Sequence, residues 1–335
     1  MILNVKMRLG EGVCSNKRRH RLLIPLPLIT LALFIFFFLP PLFLAAAVAH
    51  AGDSGAEQMV IQLLGTSAAD PGGWVSYGRQ LSSILVNNNL LVDFSCWTNN
   101  GNTGTCGLAR LRQYGIDFNA IDYILITHNH VDHFDPPQIV ALAQARTSAT
   151  KLTLYGGVTV VQQMNDYLDS IAQPGLINVV HLEPYAQVVI GSYAVTPLAA
   201  THDLPKNEPY VYIIYFGGKQ FLYGTDSGIL AGTSLAKIYA EKLGLVIRER
   251  TFASGSGVEH METSKVESER ADWISHGVIA ESTPYVLTHI AYCGAGNCTI
   301  PAGTADPGDG TKIYVPEIHS PRNVGLPWLQ LLLGD

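Results

Sequence analysis

Thr127-His128-Asn129-His130-Val131-Asp132-His133 places four potential metal ligands within six positions, immediately after the apolar run Ile121 to Thr127. That run reads as a buried strand, and the polar stretch from His128 to Asp135 cannot continue it. Pro136 to Ala145 has helical spacing with proline at its start, so the cluster lies on a strand-to-helix loop. Histidines two apart in extended backbone project to the same side. His128 and His130 can therefore converge on one ion, with Asp132 and His133 offset towards a second position. Imidazoles and a carboxylate crowded in this way repel or stay unsatisfied unless a cation gathers them.

Three more candidates follow in order: His202 in Ala200-Thr201-His202-Asp203, Asp226 in Tyr223-Gly224-Thr225-Asp226-Ser227-Gly228, and His289 in Val286-Leu287-Thr288-His289-Ile290-Ala291. Each follows an apolar stretch that should deliver it to one edge of a sheet. A single strand-end histidine is an ordinary structural feature; the ordered set is not. Asp93, closing the run Ser83 to Asp93, and His260, in Val258-Glu259-His260-Met261-Glu262-Thr263 ahead of a helix, are further candidates. His20 and His50 belong to the N-terminal segment, and His181, His276 and His319 read as ordinary surface or strand positions. The glycine- and threonine-rich Gly101 to Gly107 has no phosphate-binding pattern and reads as part of a pocket rim.

Around these residues the chain alternates hairpins with helices. Val60 to Leu64 is a strand, and Asn87-Asn88-Asn89 splits Ser83 to Asp93 into a hairpin. Lys151 to Tyr155 and Val179 to Leu182 read as strands, with a helix over Val158 to Ile171. Val188 to Thr201 turns at Gly191-Ser192, and Val211 to Thr225 turns at Gly217-Gly218. Leu235 to Leu243 and Ser264 to Ser275 read as helices, Gly244 to Arg248 and Tyr285 to Thr288 as strands. The expectation is an α+β fold of two mostly antiparallel sheets packed face to face with helices outside. It forms one domain over residues 58 to 335.

The first 51 residues are of a different kind. Lys17-Arg18-Arg19-His20-Arg21 precedes an apolar stretch from Leu22 to Val48 that closes at Ala49-His50-Ala51, a pattern expected of an export signal. Leu22 to Leu39 is also long enough for an uncleaved membrane anchor, although Pro40-Pro41 would break it. Either way the body is expected outside the cytoplasm, periplasmic, extracellular or anchored, with membrane contact only through this segment. The segment holds six Lys or Arg against Glu11, a contribution of +5; taking this from the net charge of −6 leaves −11 for the body. So acidic a body disfavours nucleic acid and favours a small-molecule substrate. Cys96, Cys106, Cys293 and Cys298 form two close pairs, and disulfides Cys96–Cys106 and Cys293–Cys298 are expected. A four-cysteine zinc site fits the spacings less well.

The sequence H-x-H-x-D-H followed by a distant His, Asp and His resembles the metal-ligand pattern of the metallo-β-lactamase superfamily, over residues 58 to about 320. The resemblance implies an αββα sandwich with its site at one edge of the sheets. It implies two divalent metal ions, zinc first, with manganese or iron fitting the same donors. His128, His130 and His202 would hold one, Asp132, His133 and His289 the other, and Asp226 would bridge them. Ions so bridged bring the pKa of a shared water towards neutrality and make a hydroxide nucleophile. Asp93 resembles the family's first-strand aspartate, which orients a ligand histidine. His260-Met261-Glu262-Thr263 is near the His-Met-Ser or His-Ser-Thr segment whose histidine can protonate a leaving group, but carries an extra glutamate.

The zinc β-lactamases themselves generally lack the bridging aspartate. Leu64-Gly65-Thr66-Ser67, Ser83-Ile84-Leu85-Val86, Thr225-Asp226 and His260-Met261 together resemble the branch of phosphoribosyl cyclic phosphodiesterases and tRNA 3′-processing nucleases. The activity implied is hydrolysis of a small-molecule phosphodiester. A lactonase or another carboxylic-ester or thioester hydrolase is the alternative enzyme. A non-catalytic metal-binding protein on the same scaffold is the alternative of another class.

Overall fold

The computed structural model describes residues 57–68, 79–96, 107–204, 206–291 and 300–318. All of them belong to one unit, Ser54–Asp335. The expected export segment lies outside the described residues, as do Cys106, Cys293 and Cys298, on which the expected disulfides rest. No described helix is long and apolar enough to cross a membrane.

The first half runs β1 (Val60–Gly65), β2 (Ser83–Val86), β3 (Leu90–Val92), α1 (Gly107–Gln113), a 3-10 turn (Phe118–Ala120), β4 (Tyr123–Leu125), α2 (Pro136–Ala145), β5 (Thr153–Gly156), α3 (Val158–Ser170) and β6 (Asn178–His181). The second half runs β7 (Val188–Ile190), β8 (Tyr193–Ala199), β9 (Tyr210–Phe216), β10 (Lys219–Gly224), α4 (Gly232–Tyr239), β11 (Leu245–Glu249), α5 (Thr263–Ser275), β12 (Tyr285–Thr288) and β13 (Lys312–Tyr314). The expected turns form where glycine and asparagine tolerate left-handed backbone: Asn87 and Asn88 have φ of 46° and 64°, Gly217 and Gly218 of 53° and 77°. Helix α1, which starts at Gly107, the last residue of the glycine-rich stretch, packs Leu111 into the core.

Seven strands form one sheet in the order β13-β1-β2-β3-β4-β5-β6, and six form the other in the order β12-β11-β10-β9-β8-β7. Among the described strands, antiparallel pairings outnumber parallel ones only narrowly, six to five, and both sheets are mixed. β3, β4, β5 and β6 pair in parallel, as do β10, β11 and β12, while the remaining pairs are antiparallel. The hairpins announce themselves through their turns. The parallel halves arise because α1, α2 and α3, then α4 and α5, lie on crossovers that return the chain to the same sheet end.

Side-chain alternation builds four layers. On β2, Ile84 and Val86 face the core between the sheets, while Leu85 faces the helices. On β10, Phe221 and Tyr223 enter that same central core and Leu222 faces outward. Leu111, Ile139, Leu142, Val160, Met164 and Leu168 cover the first sheet from its helix side. Ile238, Val266 and Trp273 cover the second. The central strands are apolar on both faces because both are covered, which is the αββα arrangement.

Candidate metal centre

The parallel pairings decide where the polar residues arrive. β3 and β4 run together, so Asp93 and His128 leave the first sheet at the same end. β8 runs in the direction of β10, because β9 lies antiparallel to both, and β11 and β12 follow β10 in parallel. His202, Asp226, Glu249 and His289 thus all stand at or just beyond strand C-termini. Hydrogen bonds join the sheets at this edge: Tyr210 N–H donates to Thr127 O at 2.9 Å, Tyr212 O–H to Ile126 O at 2.6 Å, and His289 N–H to Ser82 Oγ at 2.9 Å. Asp93, Asp203, Asp226 and His289 all have positive φ, between 39° and 56°. Such backbone costs free energy in non-glycine residues and gathers where a side chain must be aimed.

All seven predicted ligands meet, in two groups that share Asp226: His128, His130 and His202 in one, Asp132, His133 and His289 in the other. In the first group His130 Nδ1 lies 3.1 Å from His202 Nε2, and Asp226 Oδ2 lies 3.2 Å from His128 Nε2 and 3.9 Å from His202 Nε2. In the second, His133 Nε2 is 2.9 Å from Asp226 Oδ2 and 3.6 Å from Asp132 Oδ2, and His289 Nε2 is 3.5 Å from Asp132 Oδ2. Donor atoms around a tetrahedral zinc, bound at roughly 2.0–2.1 Å, stand about 3.3 Å apart, so these spacings fit the groups to cations. His128 Nε2, His133 Nε2 and His289 Nε2 are buried and make no hydrogen bond, as expected of atoms whose partner is an ion.

The electrostatics agree. Burial alone would raise the Asp226 carboxyl, but His289 and His133 beside it hold it well below the usual carboxylate range. Asp132 behaves alike, with burial opposed and outweighed by His133. Against the pull of burial, Asp226 and Asp132 push the His289 imidazole up to about 10. Burial pushes His202 down to about 3, leaving it neutral and able to donate a lone pair. The buried Asp132 and Asp226 thus need positive charge beside them, which the raised His133 and His289 imidazoles supply and which a cation would supply in their place.

The orienting residues differ in how legible they are. The Asp93 carboxylate lies 2.8 Å from His133 Nδ1 and accepts from both the N–H and the hydroxyl of Thr127. His260, singled out apart from the ligands, sits with Nδ1 3.1 Å from Glu249 Oε2 and 3.5 Å from Asp226 Oδ1. The sequence carries no signal for Glu249, because Arg248-Glu249-Arg250 has the local pattern of a solvated charge run. It is fully buried instead. Glu249, His260, His289 and Asp226 lie close enough to suggest a third cation. The glutamate oxygens are already taken by proton donors, Ser227 N–H on one and Thr251 O–H on the other, so Glu249 acts as an acceptor for His260. Against Glu249, the His260 imidazole is raised although burial lowers it. Gly228 makes room for this arrangement: a Cβ there would meet Val258 O at 1.9 Å, in the segment that carries His260. His181 and His276 lie on the surface.

Comparison with known proteins agrees with this architecture. The family model of the beta-lactamase superfamily domain matches residues 94–274, just over half of the chain. The metallo-beta-lactamase fold protein YhfI from Bacillus subtilis superposes with a TM-score of 0.59 at 19% identity, covering 77% of this chain and 99% of that one. A diphosphatase of the PhnP family superposes with 0.57 at 16% identity, covering 78% and 99%. The short form of human tRNase Z gives 0.56 at 17% identity, covering 77% and 99%. At these identities the likeness is one of fold. No curated protein sequence matches the chain significantly. With the family match spanning the histidine loop, His202, Asp226 and His260, the chain belongs to the beta-lactamase superfamily and has the metallo-β-lactamase fold.

Proposed function

We propose that this protein is a hydrolase that holds two divalent cations, zinc in the first instance, and cleaves a small-molecule phosphodiester. The observation that carries the reading is the placing of His260 beside Asp226, the one carboxylate common to both ligand groups, with a buried glutamate behind it. His128, His130 and His202 would hold one cation, Asp132, His133 and His289 the other, with Asp226 between them. When bound, such ions supply Lewis acidity and a water acidic enough to ionise near neutral pH. Glu249 accepts from His260 Nδ1–H, which leaves Nε2 as the atom able to hand a proton to a departing alkoxide. Asp93 and Thr127 hold the ring plane of His133. The acidic body described above, together with the expectation of export, favours a small substrate over a nucleic acid.

The test is a panel of bis-p-nitrophenyl phosphate, a simple lactone and a chromogenic cephalosporin, offered to the protein with zinc or manganese. Diester turnover is expected to dominate; lactone or cephalosporin turnover without diester cleavage would overturn the assignment. His260→Ala should slow diester cleavage by about 10²–10⁴ with metal content unchanged.

A further inference from the structure

His130 differs from the other six predicted ligands. Its side chain is 37% exposed, whereas those of His128, Asp132, His133, His202, Asp226 and His289 are 10% exposed or less. Packing therefore holds the others in place but leaves one side of the His130 ring open to water. A ring free to turn about its Cβ–Cγ bond presents either nitrogen, or neither, to the neighbouring His202. Something has to choose.

The choosing contacts come from the turn after His202. Asp203 Oδ2 lies 3.3 Å from His130 Nε2, and Asn207 Nδ2 donates to the same carboxylate oxygen at 2.9 Å. The turn itself is tied by Lys206 N–H and Asn207 N–H, which donate to Asp203 O at 3.0 and 3.2 Å, and Asp203 holds a φ of 45°. Asn207 Nδ2 also stands 3.3 Å from His130 Nε2. The two neighbours make opposite demands on that nitrogen. A carboxylate only accepts, so it requires a proton on Nε2; the amide NH₂ only donates, so it requires a bare Nε2. Since Asn207 already gives a hydrogen to Asp203, the consistent network has Asp203 Oδ2 accepting from both residues, with the His130 proton on Nε2. The lone pair is then on Nδ1, the atom that faces His202 Nε2 at 3.1 Å.

We propose that Asp203, held by Asn207, is the positioning residue that fixes His130 as an Nδ1 ligand of the first cation. It rests on the metal-holding part of the function proposed above and not on the substrate. Asp203 thereby mirrors Asp93 with the opposite outcome. Asp93 takes the proton of His133 Nδ1 and leaves Nε2 for the ion, whereas Asp203 takes that of His130 Nε2 and leaves Nδ1. Removing the carboxylate frees the ring and lets Asn207 bind Nε2, which moves the proton to Nδ1 and blocks the ligand atom.

Two measurements test this without substrate. In the zinc-loaded protein labelled with ¹⁵N-histidine, the His130 ring should show its proton on Nε2; a proton on Nδ1 would overturn the proposal whatever any variant does. Zinc titration of Asp203→Leu should show one of the two sites intact and the other weakened by about ten- to a hundred-fold. Asp203→Asn, whose carbonyl can still accept, should recover most of the loss. Unchanged affinity and stoichiometry in Asp203→Leu, with an unchanged circular dichroism spectrum, would also overturn it. If both sites fill as expected but no diester is cleaved, the proposed substrate class falls and this inference stands.

Discussion

The fully buried Asp93 carboxylate stands 2.8 Å from Nδ1 of the equally buried His133, and a residue of one strand end thereby orients a ligand on the next. Because Asp93 also accepts both protons that Thr127 offers, its removal leaves the Thr127 N–H and His133 Nδ1–H without that acceptor. Asp93→Ala is expected to weaken binding at the second cation site by about 10–100-fold, read by competitive zinc titration. Full retention of affinity would show that His133 is held by packing alone.

Stripping the ions should destabilise the protein. The two ligand groups bring Asp132 and Asp226 together in a buried space, and only the folded chain assembles them. Ligand held at a hundred times its dissociation constant stabilises by about 2.7 kcal/mol per site. The melting temperature is expected to fall on chelation with EDTA and to return on adding zinc. A melting curve indifferent to both treatments would remove the metal centre from this account.

Glu249 and His260 should behave as one unit. Glu249→Gln removes the charge that raises the His260 imidazole while keeping the shape. It should lower kcat for a diester by about ten-fold or more, move the pH profile, and leave metal content unchanged. Added to His260→Ala it should cost little further, since the glutamate acts through the histidine. Strictly additive losses in the double variant would show independent roles.

Next to Glu249 in the chain, Arg248 forms a buried pair with Glu269, with Arg248 Nε 2.9 Å from Glu269 Oε1 and Tyr285 O–H donating to the same oxygen at 2.9 Å. Glu269→Ala strands a guanidinium in the core between β11 and α5. The expected loss is about 3–5 kcal/mol, measured by urea unfolding. A loss under 1 kcal/mol would mean that water reaches Arg248 after all.

The ligand candidates were legible in the sequence because they follow apolar strands, four of them after the same strand and close enough together to be seen at once. The crowding of His128 to His133 stands out unaided, whereas His202, Asp226 and His289 are ordinary strand-end residues singly and become candidates through their order, which resembles the metal-ligand pattern of the superfamily. Asp93 was legible for the same reason. Glu249 was not: between two arginines it has the local pattern of a solvated strand end, and its role appears only once His260 from the following loop is folded over it. Asp203 was hidden beside His202, since nothing in Thr201-His202-Asp203 says that the aspartate will face a histidine some seventy positions earlier.

By itself, then, the sequence determined which side chains could bind cations and in what order the strands present them, because apolar periodicity and strand termination are local properties of the chain. Only the tertiary structure decided that both sheets are mixed and that β8, β10, β11 and β12 end at the same edge as β3 and β4. It alone determined which carboxylate faces which imidazole nitrogen. Those relationships depend on how the crossover helices α1 to α5 return the chain and on side-chain directions between strands distant in sequence. No local pattern of residues carries that information.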